Sequence, residues 1–116
     1  MVEKIHVDNM NFRQLDFAFA KVLGLMLGDD SVVVKNNNGG LSVYHLSKFS
    51  PTRDPEMLMM VLNQKNIVVK PEKTNNRFQV QIKGKTISEE NELLVIVKYC
   101  IFLKVENTMD IPKKIR

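Results

Sequence analysis

The sequence predicts an α+β fold, a small antiparallel or mixed sheet packed against two to three helices. Apolar residues alternate with period two in some segments and recur every three or four residues in others. Asn, Gly, Asp and Pro punctuate the boundaries between those segments. The chain has 116 residues, 44% hydrophobic and 26% charged, as expected for one globular domain. That domain is expected over residues 1–112, with a basic tail, residues 113–116, expected to fray.

Residues 2–7 alternate Val, Ile and Val with Glu, Lys and His, which predicts a short strand. Asn11 suits a helix N-cap. Gln14, three residues on, completes a capping box, and Met10 can staple onto Leu15. Leu15, Ala18, Phe19, Val22 and Met26 would form one helix face, ended by Gly24 or Gly28. Ser31–Lys35 and Leu41–His45 read as the arms of a hairpin around Asn36–Gly40, whose Asn and Gly tolerate positive φ.

Ser50-Pro51 and Asp54-Pro55 both suit a helix start, with proline at the first helical position. The second is followed by Met57, Leu58, Met60, Val61 and Leu62, an apolar cluster for a second helix. Ile67-Val68-Val69 resembles a buried strand, and Lys73–Asn76 a polar turn. In Arg77–Lys83, Phe78, Val80 and Ile82 fall on one face, and Arg77, Gln79, Gln81 and Lys83 on the other. Ser88 is the expected cap of a third helix, with Glu89, Glu90 and Glu92 at its positive end. Its stripe of Leu93, Ile96, Val97, Cys100 and Leu103 is widened by Leu94, Val95, Ile101 and Phe102, so it should be the central packing element.

One cysteine, Cys100, rules out an intramolecular disulfide and fits a reducing compartment. The first residues lack the apolar run of a signal peptide, and no stretch of eighteen apolar residues is present to span a bilayer. The formal charge is +4, but Lys113, Lys114 and Arg116 supply most of it. The unbalanced internal segment runs from Lys65 to Lys85, where Lys65, Lys70, Lys73, Arg77, Lys83 and Lys85 face only Glu72.

No catalytic, cofactor-binding or metal site is expected. His6 and His45 are the only histidines, and a zinc site needs three or four ligands. Ser47, Ser50 and Ser88 lie outside any nucleophile elbow. Asp29-Asp30 lacks a third carboxylate nearby, and Gly39-Gly40 lacks the Gly-Lys-Ser/Thr of a phosphate loop. The candidate surface is the basic segment: Lys65, Lys70, Lys73, Arg77, Gln79, Gln81, Lys83 and Lys85. Outward cations and amides there suit an acidic protein surface or nucleic acid. Met59, off the main stripe of its helix, is a further candidate contact.

Leu15-Asp16-Phe17-Ala18-Phe19-Ala20-Lys21-Val22-Leu23-Gly24 resembles Leu-Asp-Trp-Ala-Val-Ala-Lys-Ala-Leu-Gly, the signature of a family of small tailed-phage accessory proteins. That family includes members from the nin region of lambdoid phages. Phe49-Ser50-Pro51-Thr52-Arg53-Asp54 is similar to its Phe-Ser-Pro-Ser-Thr-Asp segment, and Val97-Lys98-Tyr99-Cys100 with Asp110-Ile111-Pro112 to its ending. Phe17 stands where the family has Trp, and Lys98 where Arg is usual. The resemblance spans residues 10–112. It implies a phage or prophage protein of the bacterial host cytoplasm that binds a host or phage protein, for example to inhibit a defence complex such as a CRISPR effector. Direct nucleic-acid binding through residues 65–85 is the alternative expectation.

Overall fold

The computed structural model describes residues 1–116 and has eight strands and three α-helices. The strands are β1 (Val2–His6), β2 (Met26–Leu27), β3 (Ser31–Lys35), β4 (Leu41–His45), β5 (Glu72–Thr74), β6 (Arg77–Ile82), β7 (Lys85–Glu89) and β8 (Thr108–Pro112). The helices are α1 (Phe12–Val22), α2 (Pro55–Lys65) and α3 (Glu92–Phe102). The α+β class stands, but the strands form three small antiparallel sheets instead of one: β1-β8, β2-β3-β4 and β5-β6-β7.

The cap chemistry works as the residue types dictate. Asn11 Oδ1 accepts from Gln14 N at 2.9 Å, and Gln14 Oε1 accepts from Asn11 N at 3.0 Å, a complete capping box for α1. Asp54 Oδ1 accepts from Met57 N, with Pro55 at the first position of α2. Ser50-Pro51 starts only a turn. Helix α1 stops at Val22, before Met26, because Gly24 takes φ +70° and turns the chain into β2.

Helix α3 is apolar nearly all round. Val95, Ile96, Val97, Cys100, Ile101 and Phe102 are buried, and it packs against α1, α2, β6 and β7. It is the central element the sequence predicts. It starts later than expected because Lys83 and Gly84 both take positive φ, +52° and +76°, and fold the chain into a two-residue hairpin. Ser88 thus belongs to β7, and Asn91 caps α3 by accepting from Leu93 N. Asn75 and Asn76, at +52° and +64°, make the matching turn between β5 and β6.

Ile67–Val69 forms no strand. Asn66 ends α2 in the left-handed conformation and the chain leaves along the surface. Ile67 and Val69 lean on the core while Val68 is 81% exposed.

The C-terminal tail is docked against the domain. Ile115 is buried in the main core, its carbonyl accepts from Gln14 Nε2, and Lys114 Nζ reaches Asp30 at 2.8 Å. The tail follows β8, which pairs along the full length of β1. Apolar anchorage at Ile115 outweighs the charge of its neighbours. Ile115→Ala should therefore lower stability in urea by about 2 kcal/mol, as for a buried large-to-small change. A fraying terminus would give no change in midpoint.

Candidate functional site

The candidate surface lies on the β5-β6-β7 sheet. Residues directly opposite across a ladder project to the same side. Arg77 pairs with Thr74, Gln79 with Glu72 and Ser88, and Gln81 with Thr86. These residues make the outer face. Phe78, Val80, Ile82 and Ile87 make the inner face, against α3.

That parity divides the predicted basic patch. Lys73 pairs with Phe78 and Lys85 with Ile82, so both belong to the inner side of the pleat. Lys73 Nζ sits 5.6 Å from the Phe78 ring centroid. Lys85 Nζ sits 4.5 Å from that of Phe102 and donates to the Glu106 carbonyl and to Asn107 Oδ1. Lys85 is thus a clamp between β7 and the segment leading to β8. Lys73 and Lys85 therefore do not share the outer face of Arg77, Gln79 and Gln81. Alternation was applied to β6, but β5 and β7 supply half the sheet.

Of the rest, Lys65 lies half-buried in the last turn of α2. Lys70 and Lys83 are exposed at the sheet's rims, Lys83 in the hairpin turn. Arg77 is held in place. Its Nε donates to Ser88 Oγ and its Nη2 to the Ser88 carbonyl, both at 2.9 Å, and Glu90 lies 3.8 Å away. A shallow cleft of about 250 Å³ gathers Lys70, Glu72, Gln79, Val80 and Gln81. Met59 lies elsewhere, 51% exposed beside a groove formed with Asn37, Pro55, Glu56, Met60 and Asn63.

The groups weighed for catalysis have structural employment. His6 Nδ1 accepts from Asp8 N and His45 Nδ1 from Ser47 N, each ring capping a short 3-10 turn at a strand end. Cys100 is fully buried, and burial pushes its thiol up to about 12, so it stays protonated and inert at neutral pH. Asp30 is spent on Lys114, whose hydrogen bond holds the carboxyl below its ordinary value. No three His, Cys, Asp or Glu side chains converge as metal ligands. No helix is long and apolar enough to cross a membrane.

Three buried polar residues, Asp16, Thr52 and Lys98, escaped the sequence reading. Asp16, 2% exposed on α1, accepts from Thr52 N at 2.9 Å and from Thr52 Oγ1 at 3.1 Å. Thr52 is itself fully buried, so the carboxylate ties α1 to the loop before α2. Burial raises the Asp16 carboxyl to about 6, against the lowering effect of the two Thr52 hydrogen bonds and Arg53. Lys98, 7% exposed in the middle of α3, meets Glu89 Oε2 at 2.9 Å and Asp8 Oδ1 at 3.8 Å. A lone lysine inside an apolar helical stripe was the available signal for that pair. No family model, curated protein or solved structure matches this chain.

Asp16 and Lys98 each yield a stability prediction. The folded Asp16 binds its proton more tightly than the ordinary carboxyl at 3.8, so the native state carries more protons between pH 4 and 6. Stability from this group is therefore highest below pH 4 and falls as pH rises through 6, by roughly 2–3 kcal/mol. Asp16→Asn keeps an acceptor for Thr52 N and should abolish that fall in urea titrations at pH 4 and 7. Glu89→Gln should cost about 1–3 kcal/mol, because the Lys98 ammonium then keeps only Asp8, 3.8 Å away, as a charged partner. Lys98→Met should be nearly neutral in the same assay.

Proposed function

We propose that this chain is a non-catalytic accessory protein of phage or prophage origin, working in the bacterial host cytoplasm. It acts by binding a host or phage protein through the outer face of the β5-β6-β7 sheet. The observation that carries this reading is the composition of that face. Gln79, Gln81, Thr74, Thr86 and Ser88 offer donors and acceptors in register, and Arg77 is already fixed by Ser88 and Glu90. A rigid row of uncharged hydrogen-bonding groups recognises another polypeptide by complementarity.

Nucleic-acid binding, the alternative, draws less support from the same geometry. Affinity for a phosphate backbone grows with the number of free cations that reach it. Lys73 and Lys85 lie on the inner side of the pleat, Arg77 is engaged, and Glu72 adds a negative charge to the cleft. Lys70 and Lys83 are left at opposite rims. The resemblance to phage accessory proteins supports the origin, and a defence complex such as a CRISPR effector is a target class consistent with it.

Affinity purification from a bacterial lysate, followed by titration of the recovered partner, tests the reading. Gln79→Ala/Gln81→Ala should weaken binding at least tenfold, and Lys73→Ala should leave it unchanged. Equal recovery by the wild type and the glutamine variant would refute the assignment of this face. Retention on DNA or RNA that falls steeply with salt would establish the nucleic-acid alternative instead.

A further inference from the structure

A second surface stands out on the β2-β3-β4 sheet. Strand β4 pairs only with β3, so its far side is a sheet edge. The bonds Asn36 N to Gly40 O and Leu46 N to Asp30 O bracket the β3-β4 ladder. Hydrogen-bonded pairs alternate along an antiparallel ladder, so Val34–Ser42 and Val32–Tyr44 exchange the bonds between them. The N–H and C=O groups of Leu41 and Val43, and the N–H of His45, therefore point outward with no partner across a ladder, while the His45 carbonyl opens the 3-10 turn that follows.

The far side of β3 is closed beyond its short pairing with β2. Val33 N donates to the Leu25 carbonyl at 2.9 Å, and Lys35 N donates to Gln64 Oε1 at 2.8 Å, a side chain of α2 completing the ladder. Other edges carry the usual protections. β1 and β8 contain Glu3, Lys4, Asp110 and Pro112, β5 has three residues with Glu72 and Lys73, and β7 holds Lys85 and Glu89. Leu41-Ser42-Val43-Tyr44-His45 has no acidic residue, lysine, arginine or proline.

The outer face of the same sheet is apolar. Leu41 is 71% exposed, Val43 62% and Leu27 60%. Val33 lies opposite Val43, on that face.

We infer that β4 pairs antiparallel with β4 of a second copy of this chain, extending two three-stranded sheets into one of six. The strand is complementary to itself when the two-fold axis passes beside Val43. Val43 then faces its counterpart in a hydrogen-bonded pair, and Leu41 faces His45 of the other copy. Across the four central strands this gives an unbroken row of valines, Val33 and Val43 from each copy, flanked by both Leu41 side chains. Lys35 remains two strands from the axis, beside Leu41, so the register opposes no like charges. An isologous interface of this kind closes at two copies and removes both open edges at once.

Analytical ultracentrifugation between 1 and 500 μM tests the inference on the full chain, with amide hydrogen exchange as the second readout. The wild type should sediment as a dimer at the upper concentrations. Amides of Leu41, Val43 and His45 should gain at least tenfold protection with concentration, while Ser42 and Tyr44 amides, already bonded to β3, change little. Val43→Lys, at an exposed position, should raise the dimer dissociation constant at least tenfold. Gln79→Ala/Gln81→Ala should leave it unchanged, which separates this surface from the proposed partner face. In the event that Val43→Lys does not fold, Val43→Cys replaces it. Mild oxidation should then cross-link the copies, because hydrogen-bonded antiparallel pairs hold their Cα atoms about 5.5 Å apart. Met59→Cys should not cross-link. A monomer at every concentration, a dimer indifferent to Val43→Lys, or unprotected Val43 amides within a dimer would each overturn the inference. Protection of those amides only in the presence of another protein would assign the edge to that protein instead.

Discussion

Covering helix α3 is the constraint that organises this molecule. Eleven residues from Glu92 to Phe102 contain only two charged side chains, Glu92 at the solvated start and Lys98 in the interior. Such a helix offers no polar face to water, so every direction around it needs an apolar neighbour. Helices α1 and α2 and the inner faces of β6 and β7 supply them. Of the three sheets, β5-β6-β7 lies against α3, while β2-β3-β4 packs on α2 and β1-β8 on α1, backing the helices that cover α3.

The same constraint explains the buried ion pair. Lys98 is nearly buried, its ammonium at the floor of a surface pocket, and Glu89, from the strand adjoining α3, reaches it there. An apolar pair of similar shape would serve packing as well, so the arrangement contributes orientation more than stability. Asp16 and Thr52 perform a comparable task between α1 and the loop ahead of α2. They belong to the segments Leu15–Gly24 and Phe49–Asp54 and are shut away from solvent, so their task there is to hold the scaffold together.

Local chemistry was legible in the residues and long-range pairing was not. The Asn11–Gln14 box, the Asp54-Pro55 start and both arms of the β3-β4 hairpin follow from neighbours a few positions apart. Strand β8 could not be found this way, because Thr108–Pro112 has meaning only against Val2–His6 at the other end of the chain. Strand β7 was hidden by Ser88 and three glutamates that imitate a helix start. Only the positive φ at Lys83 and Gly84 reveals the hairpin. The candidate surface suffered from a related gap. Alternation within β6 was read correctly, but the facing of Lys73 and Lys85 depends on register with its neighbours, which no single segment carries.

The pairing of β1 with β8 also bears on how the molecule reaches its native state. Val2–His6 finds its partner, Thr108–Pro112, only after the chain has run through every other element of the fold. The hairpins and α2 close over short spans, whereas this ribbon carries the largest loop-closure entropy in the molecule. Its pairing is therefore the step of folding that local contacts help least, and a strand of Val, Ile and His stays open to misassociation until it forms.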